Sequence, residues 1–175
     1  MKFPLIALVA ACVAMPVSMP AAAQEALANP QIDYDGFTEL TVKLAPIRAE
    51  RRIALDQFLA KAQDSNAIIL DTRSAAAFAE GHLAGAINLP FSDFTDAKLA
   101  KVLGSDMTRP VLIYCNNNFS DNAAPVVAKR ATLALNIPTF INLYGYGYTN
   151  IWELADVVAT ADVAWVSSVD PLTTG

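Results

Sequence analysis

The chain has 175 residues, 54% of them hydrophobic and 17% charged, which is enough apolar matter for one folded domain and too little charge for a disordered chain. Twelve Lys and Arg against 17 Asp and Glu give a net charge of −5, and no basic cluster exceeds Arg51-Arg52, so binding nucleic acid by phosphate neutralisation is excluded. With one histidine, His82, and two cysteines, Cys12 and Cys115, neither a multi-histidine nor a Cys-x-x-Cys site can be assembled, and no metal is expected.

The chain opens as an export signal. Lys2 precedes an apolar run from Leu5 to Met15, and the small residues Ala21-Ala22-Ala23 precede Gln24, so residues 1–23 read as a signal peptide cleaved after Ala23. The run is too short to span a bilayer, so no transmembrane segment is expected, and the implied destination is secretion, to the periplasm if the source is bacterial. A rival processing site lies in Val9-Ala10-Ala11-Cys12, which is similar to a bacterial lipobox and would leave a form anchored by a lipid on Cys12. Cleavage after Ala23 leaves Cys115 as the one cysteine, in an oxidising compartment and with no internal disulfide partner. Such a thiol is either buried and inert or kept for its reactivity.

Residues 24–46 form an N-terminal extension, with a short strand expected at Glu39–Leu44 from the alternation of Leu40, Val42 and Leu44. Residues 47–160 then alternate short apolar runs with amphipathic stretches, the pattern of βα units around a parallel sheet. Strands are expected at Arg52–Ala54, Ala67–Leu70, Ala86–Leu89, Val111–Tyr114 and Thr139–Leu143. Helices are expected through Leu55, Phe58 and Leu59, around Phe78, through Leu99, Val102 and Leu103, and from Val126 to Leu135. A last helix should run from Trp152 to about Ala159, ahead of a loosely held tail at 161–175. The fold class is thus α/β, a five-stranded parallel sheet with helices on both faces.

In such sheets ligands collect at the carboxyl ends of strands, and Cys115 follows the strand Val111–Tyr114. The loop Cys115-Asn116-Asn117-Asn118-Phe119-Ser120 is followed by a helix expected to begin near Asp121 or Asn122, because Pro125 is harmless only in a first turn. Asparagines tolerate left-handed backbone, so the loop can curl its N–H groups around an anion, which would favour the thiolate of Cys115. The competing structural reading is a cysteine that merely ends a buried strand, with asparagines as turn formers.

Asp71-Thr72-Arg73, the segment Glu80-Gly81-His82-Leu83-Ala84-Gly85-Ala86-Ile87-Asn88, the pair Tyr114-Cys115 with its six-residue loop, Gly147 and Trp152 together resemble the rhodanese-like domain, over roughly Arg51 to Val158. The resemblance implies a sulfurtransferase or sulfur carrier in which Cys115 accepts sulfane sulfur and the backbone of Asn116, Asn117, Asn118, Phe119 and Ser120 holds the persulfide. That chemistry needs no metal and no organic cofactor, and its partners would be a small sulfur donor or a protein thiol. Asp71, Arg73, Glu80 and His82 fall to the scaffold, which is favoured over a Cys115–His82 dyad, and Trp152 falls to the core.

Departures from the family pattern sharpen the expectation. No Arg or Lys lies between Cys115 and Ala128, and Asp121 stands there instead, so repulsion of a dianion would disfavour thiosulfate as donor. Tyr144, Tyr146 and Tyr148 replace a double-glycine turn and either wall the site, which would suit a bulkier persulfide or a protein thiol, or pack ordinarily with exposed hydroxyls. The alternative is a catalytically silent rhodanese-like module that binds a partner. Phosphatase chemistry of the Cys-x5-Arg type is disfavoured by Asp121, and a redox cycle would need an external thiol.

Overall fold

The computed structural model describes residues 29–168. The expected leader, Cys12 and residues 169–175 of the tail lie outside the described residues. Asn29–Asp33 belong to a separate unit, and the fold below is that of the chain from Tyr34.

In chain order the elements are α1 (Tyr34–Glu50), β1 (Arg52–Ile53), α2 (Leu55–Lys61), β2 (Ile68–Asp71), α3 (Ala75–Glu80), β3 (His82–Leu83), β4 (Ala86–Asn88), α4 (Asp96–Leu103), β5 (Val111–Tyr114), α5 (Asn136–Gly145), β6 (Ile151–Leu154) and β7 (Trp165–Val166). Five strands form one sheet in the order β1-β6-β5-β2-β4, with every pairing parallel. β5 lies at its centre, and all four of its residues are fully buried. Val111 and Ile113 face one cluster with Leu99, Leu103, Phe140 and Leu143, whereas Leu112 and Tyr114 face another with Phe58, Phe119 and Leu154. Helices therefore cover both faces, and this two-sided burial is why β5 is an unbroken apolar run. Truncating Leu112 to Ala would cost about 2–5 kcal/mol in such a site.

Side-chain caps start two of the helices: Ser74 accepts the Ala77 N–H ahead of α3, and Thr95 accepts the Lys98 N–H ahead of α4. No helix among the described residues is long and apolar enough to cross a membrane.

Five local expectations are corrected. Glu39–Leu44 lies inside α1, where only Leu44 is buried and Val42 is 70% exposed, so the alternation of three apolar residues was a helix seen from the side. Thr139–Leu143 belongs to α5, and the fifth strand is instead β6, drawn from the stretch expected to form the last helix. No helix spans Val126–Leu135; the chain there makes only a 3-10 turn at Ala131–Leu133. Asn122 sits at φ 47°, a left-handed conformation that stops a helix where one was expected to begin. The proline that does lie in a first turn is Pro138, in α5. Part of the expected tail is also ordered, because β7 pairs antiparallel with β3, His82 opposite Val166 and Leu83 opposite Trp165.

Candidate active site around Cys115

Cys115 leaves the carboxyl end of β5 with its side chain fully buried. Asn116–Asn118 then make one 3-10 turn. The Cys115 N–H donates to Asn118 Oδ1 at 2.9 Å, and Asn118 Nδ2 donates to the carbonyls of Leu154, the last residue of β6 (2.8 Å), and of Asp156 just past it (3.0 Å). One buried asparagine thus pins the turn to the neighbouring strand. Asn117 reaches the other way: its Oδ1 accepts the Lys129 N–H at 3.0 Å, and its Nδ2 donates to the Lys129 carbonyl at 2.7 Å.

The loop amides have two kinds of partner. Those of Asn118, Phe119 and Ser120 donate to the carbonyls of Cys115, Asn116 and Val158, and the Asn118 amide also reaches the Cys115 side chain as in a capping box. The Asn117 amide meets the Cys115 sulfur too, together with the amides of Asn136 and Leu135. The helix end facing the sulfur is therefore that of α5, which arrives after a long excursion rather than directly behind the loop. Burial pushes the Cys115 thiol up, the three amides pull it back, and the Glu153 carboxylate adds a smaller upward push. The net direction is upward, which corrects the expectation of a favoured thiolate. Sealing the sulfur from water outweighs three neutral donors.

Under the loop lies a buried polar chain. Glu153 of β6, 3% exposed, takes a two-pronged pair from Arg48 of α1, Nε to Oε2 at 2.7 Å and Nη2 to Oε1 at 2.6 Å, with Arg52 Nε 3.9 Å away. Asn136 Nδ2 donates to Asn118 Oδ1 at 3.0 Å and leans on Glu153 Oε1 at 3.4 Å. Its Oδ1 is buried with no donor among the described residues.

A cavity of about 460 Å³ opens beside the sulfur, lined among others by Thr72, Arg73, Phe91, Asn116, Lys129 and Leu135. Asn116, the chain neighbour of Cys115, and Leu135, whose amide meets the sulfur, line it, whereas the buried Cys115 does not. Lys129 lines it, whereas Asp121 is turned away and accepts the Thr160 N–H and hydroxyl, both at 2.9 Å. This corrects the expected electrostatics: the charged residues lining the cavity are Lys129, Arg73 and Asp93, the last paired with Lys98 at 2.9 Å, so Asp121 is not the charge that an entering group meets there.

Asp71 and Arg73 form a buried pair, Nη2 to Oδ2 at 2.6 Å, and Arg73 also donates to the carbonyls of Gly81 and Pro125. They tie β2 to the turn after α3 and to the Cys115 excursion. His82 Nδ1 lies 2.7 Å from the Phe78 carbonyl with its ring stacked on Phe78, and the groups that act on the thiol do not include it. Glu80 ends α3 exposed and has no ion pair among the described residues. The tyrosines do not wall the site. Tyr146 and Tyr148 donate to the carbonyls of Phe94 and Gly104, Tyr144 packs on the core, and none of the three lines the cavity beside the loop. Trp152 lies in β6 with Arg51 and Lys61 over its ring at 4.3 and 3.8 Å.

Arg48, Lys129, Leu135, Asn136 and Glu153 escaped the sequence reading. Only the Asn136-Ile137-Pro138 start of α5 carried a local signal, the proline of a first turn.

The model of the rhodanese-like domain matches residues 54–156, more than half of the chain. The chain is a member of the rhodanese-like domain family. No curated protein matches it in sequence. Among solved structures it is similar to the rhodanese-like domain of the Alr3790 protein from Anabaena sp., with 16% identity, 71% of this chain and 85% of that chain covered, and a TM-score of 0.48. It is also similar to the BH2092 protein from Bacillus halodurans, with 12% identity, 75% and 87% covered and a TM-score of 0.45. A rhodanese from E. coli, solved with anions, shares 23% identity over 58% of this chain and 98% of that chain, with a TM-score of 0.38. The rhodanese-like segment begins after α1 and β1, so Arg48 and Arg52 stand outside it.

Proposed function

We propose that this rhodanese-like domain is a sulfur carrier or sulfurtransferase in which Cys115 Sγ takes up a sulfane sulfur. The observation that carries the reading is the convergence of the Asn117, Leu135 and Asn136 amides on that one sulfur at the carboxyl end of the central strand. Donors placed there stabilise sulfur that bears negative charge, either the thiolate that attacks or the persulfide that results. The thiolate attacks the outer sulfur of the donor, an S–S bond forms on Sγ, and the donor leaves with the electron pair of its own broken S–S bond. Lys129 favours an anionic donor in the adjoining cavity, where the one lining carboxylate, Asp93, is already paired with Lys98. Because the sulfur is sealed and burial holds it as the thiol, uptake requires a local opening at Asn116 and Leu135 and speeds up toward alkaline pH. The leader at residues 1–23 supports export of the mature domain.

Intact-mass measurement after incubation with thiosulfate, and separately with a persulfide of a small thiol, tests this. Wild type gains one sulfur and Cys115→Ser gains none; no gain in wild type with either donor overturns the proposal. The full burial of Cys115 favours a second reading, a silent module that binds a partner through the loop face. Under that reading Cys115→Ala keeps its partner and the wild type takes up no sulfur.

A further inference from the structure

We infer that α1, which precedes the segment shared with the family, is a working part of the cysteine site: Arg48 is a positioning residue that holds Glu153, and through it Asn136 and the first turn of α5, against the Cys115 sulfur. The inference deepens the sulfur-carrier reading, yet its test reads the thiol itself.

The contacts run without a gap from the surface of α1 to the sulfur. The Arg48 side chain is 25% exposed and that of Glu153 is 4% exposed, so the carboxylate has surrendered its water to this one fork. Glu153 Oε1, the oxygen bonded to Arg48 Nη2, is also the one that Asn136 Nδ2 approaches. Asn136 bonds Asn118 Oδ1, the same atom that holds the Cys115 N–H, and its own amide meets the thiol. One side chain thus joins the buried charge to both the cysteine backbone and the α5 amide. Such a chain fails as a unit when its end is cut, because the orphaned carboxylate must find a new donor or draw in water.

The charge itself also reaches the sulfur. A lone carboxylate behind Cys115 would oppose the anion that sulfur chemistry forms there, and the Arg48 guanidinium cancels it at close range. Other charged groups near the loop are otherwise engaged. Arg73 is paired with Asp71, the Asp156 carboxylate accepts the Leu55 N–H at 2.8 Å, Lys129 faces the cavity beyond Asn116, and Arg52 stands 3.9 Å from Glu153 with half of its side chain exposed. Arg48 is the fork, and Arg52 the looser second cation.

The experiment is a pH titration of the Cys115 thiolate by its ultraviolet absorbance, with circular dichroism as the check on folding. Arg48→Met is expected to raise the midpoint by about one unit, a tenfold loss of thiolate at fixed pH. Glu153→Gln is expected to lower it, and Arg48→Lys to fall between wild type and Arg48→Met. The double variant Arg48→Met/Glu153→Gln should titrate with Glu153→Gln alone, since Arg48 acts through the carboxylate. A wild-type midpoint in Arg48→Met overturns the inference, as does a double variant displaced from Glu153→Gln by the full Arg48→Met shift. Should Arg48→Met not fold, the comparison of the double variant with Glu153→Gln decides alone. Failure of sulfur uptake leaves this titration standing, and failure of the titration leaves sulfur uptake standing.

Discussion

Tyr114 and Asp71 stand in register on the adjacent strands β5 and β2, and the phenol hydroxyl donates to Asp71 Oδ2 at 2.6 Å. The same hydroxyl accepts the Leu83 N–H at 3.2 Å, so one oxygen links three strands behind the cysteine. Tyr114→Phe deletes both bonds and leaves a buried amide unpaired, which should cost about 1–3 kcal/mol in urea unfolding. Arg73→Met strands the Asp71 carboxylate in the core and should cost about 3–5 kcal/mol. A variant of Arg73 as stable as wild type would contradict the assignment of this pair to the scaffold.

Gly81 is required for space. A Cβ there would lie 2.7 Å from Trp165 Cε2 and 3.0 Å from Cζ2, too close for an indole that packs into the core beside Phe119. Gly81→Ala should push Trp165 aside, loosen the β3–β7 pair and cost about 1–3 kcal/mol. Tryptophan fluorescence and thermal unfolding read both effects, and an unshifted emission with unchanged melting refutes the contact.

Burial of the Cys115 thiol makes stability depend on alkaline pH. In the unfolded chain the group loses its proton near pH 8.5, whereas the fold holds the proton to higher pH. The folded value is the raised one, so this contribution is complete below about pH 8.5 and is lost as pH climbs through the folded value. Urea midpoints of wild type should therefore fall relative to those of Cys115→Ala between neutral pH and about pH 10. A constant difference across that range would contradict a buried, protonated thiol.

Lys129 gives the proposed chemistry a charge preference. Lys129→Ala should raise the KM for an anionic sulfane donor roughly two- to fivefold at low salt and leave kcat unchanged, in line with an exposed cation acting by attraction alone. Asp121→Asn should leave KM where it was, because Asp121 faces Thr160. Equal effects from the two variants would return Asp121 to the mouth of the site.

The sequence made the parallel sheet legible because strands buried on both faces keep their apolar runs whatever surrounds them, as Val111–Tyr114 and Ile68–Asp71 do. It misassigned Thr139–Leu143 and Ile151–Leu154 for the same physical reason turned around. Short apolar stretches carry no period of their own, and tertiary packing decides between helix and strand. The count of five strands survived because the two errors exchanged places. Cys115 was legible from its position after a strand. Glu153 and Arg48 were not, since a carboxylate and a guanidinium 105 residues apart leave no local trace of their pairing. Asp71 and Arg73, two residues apart, did leave one.

The Asn117 amide group imitates a neighbouring strand, taking the N–H and the carbonyl of Lys129 with one side chain. The excursion that leaves the cysteine turn and returns at Lys129 is in this way stitched shut at its root, like an eyelet. Lengthening a loop already closed at its base costs little, about 0.6 kcal/mol for each doubling. The exposed stretch at Asp121–Ala124 can therefore accept inserted sequence while the turn beneath keeps its shape. A short reporter peptide placed there would leave the Asn117–Lys129 clasp and the cysteine turn as they are.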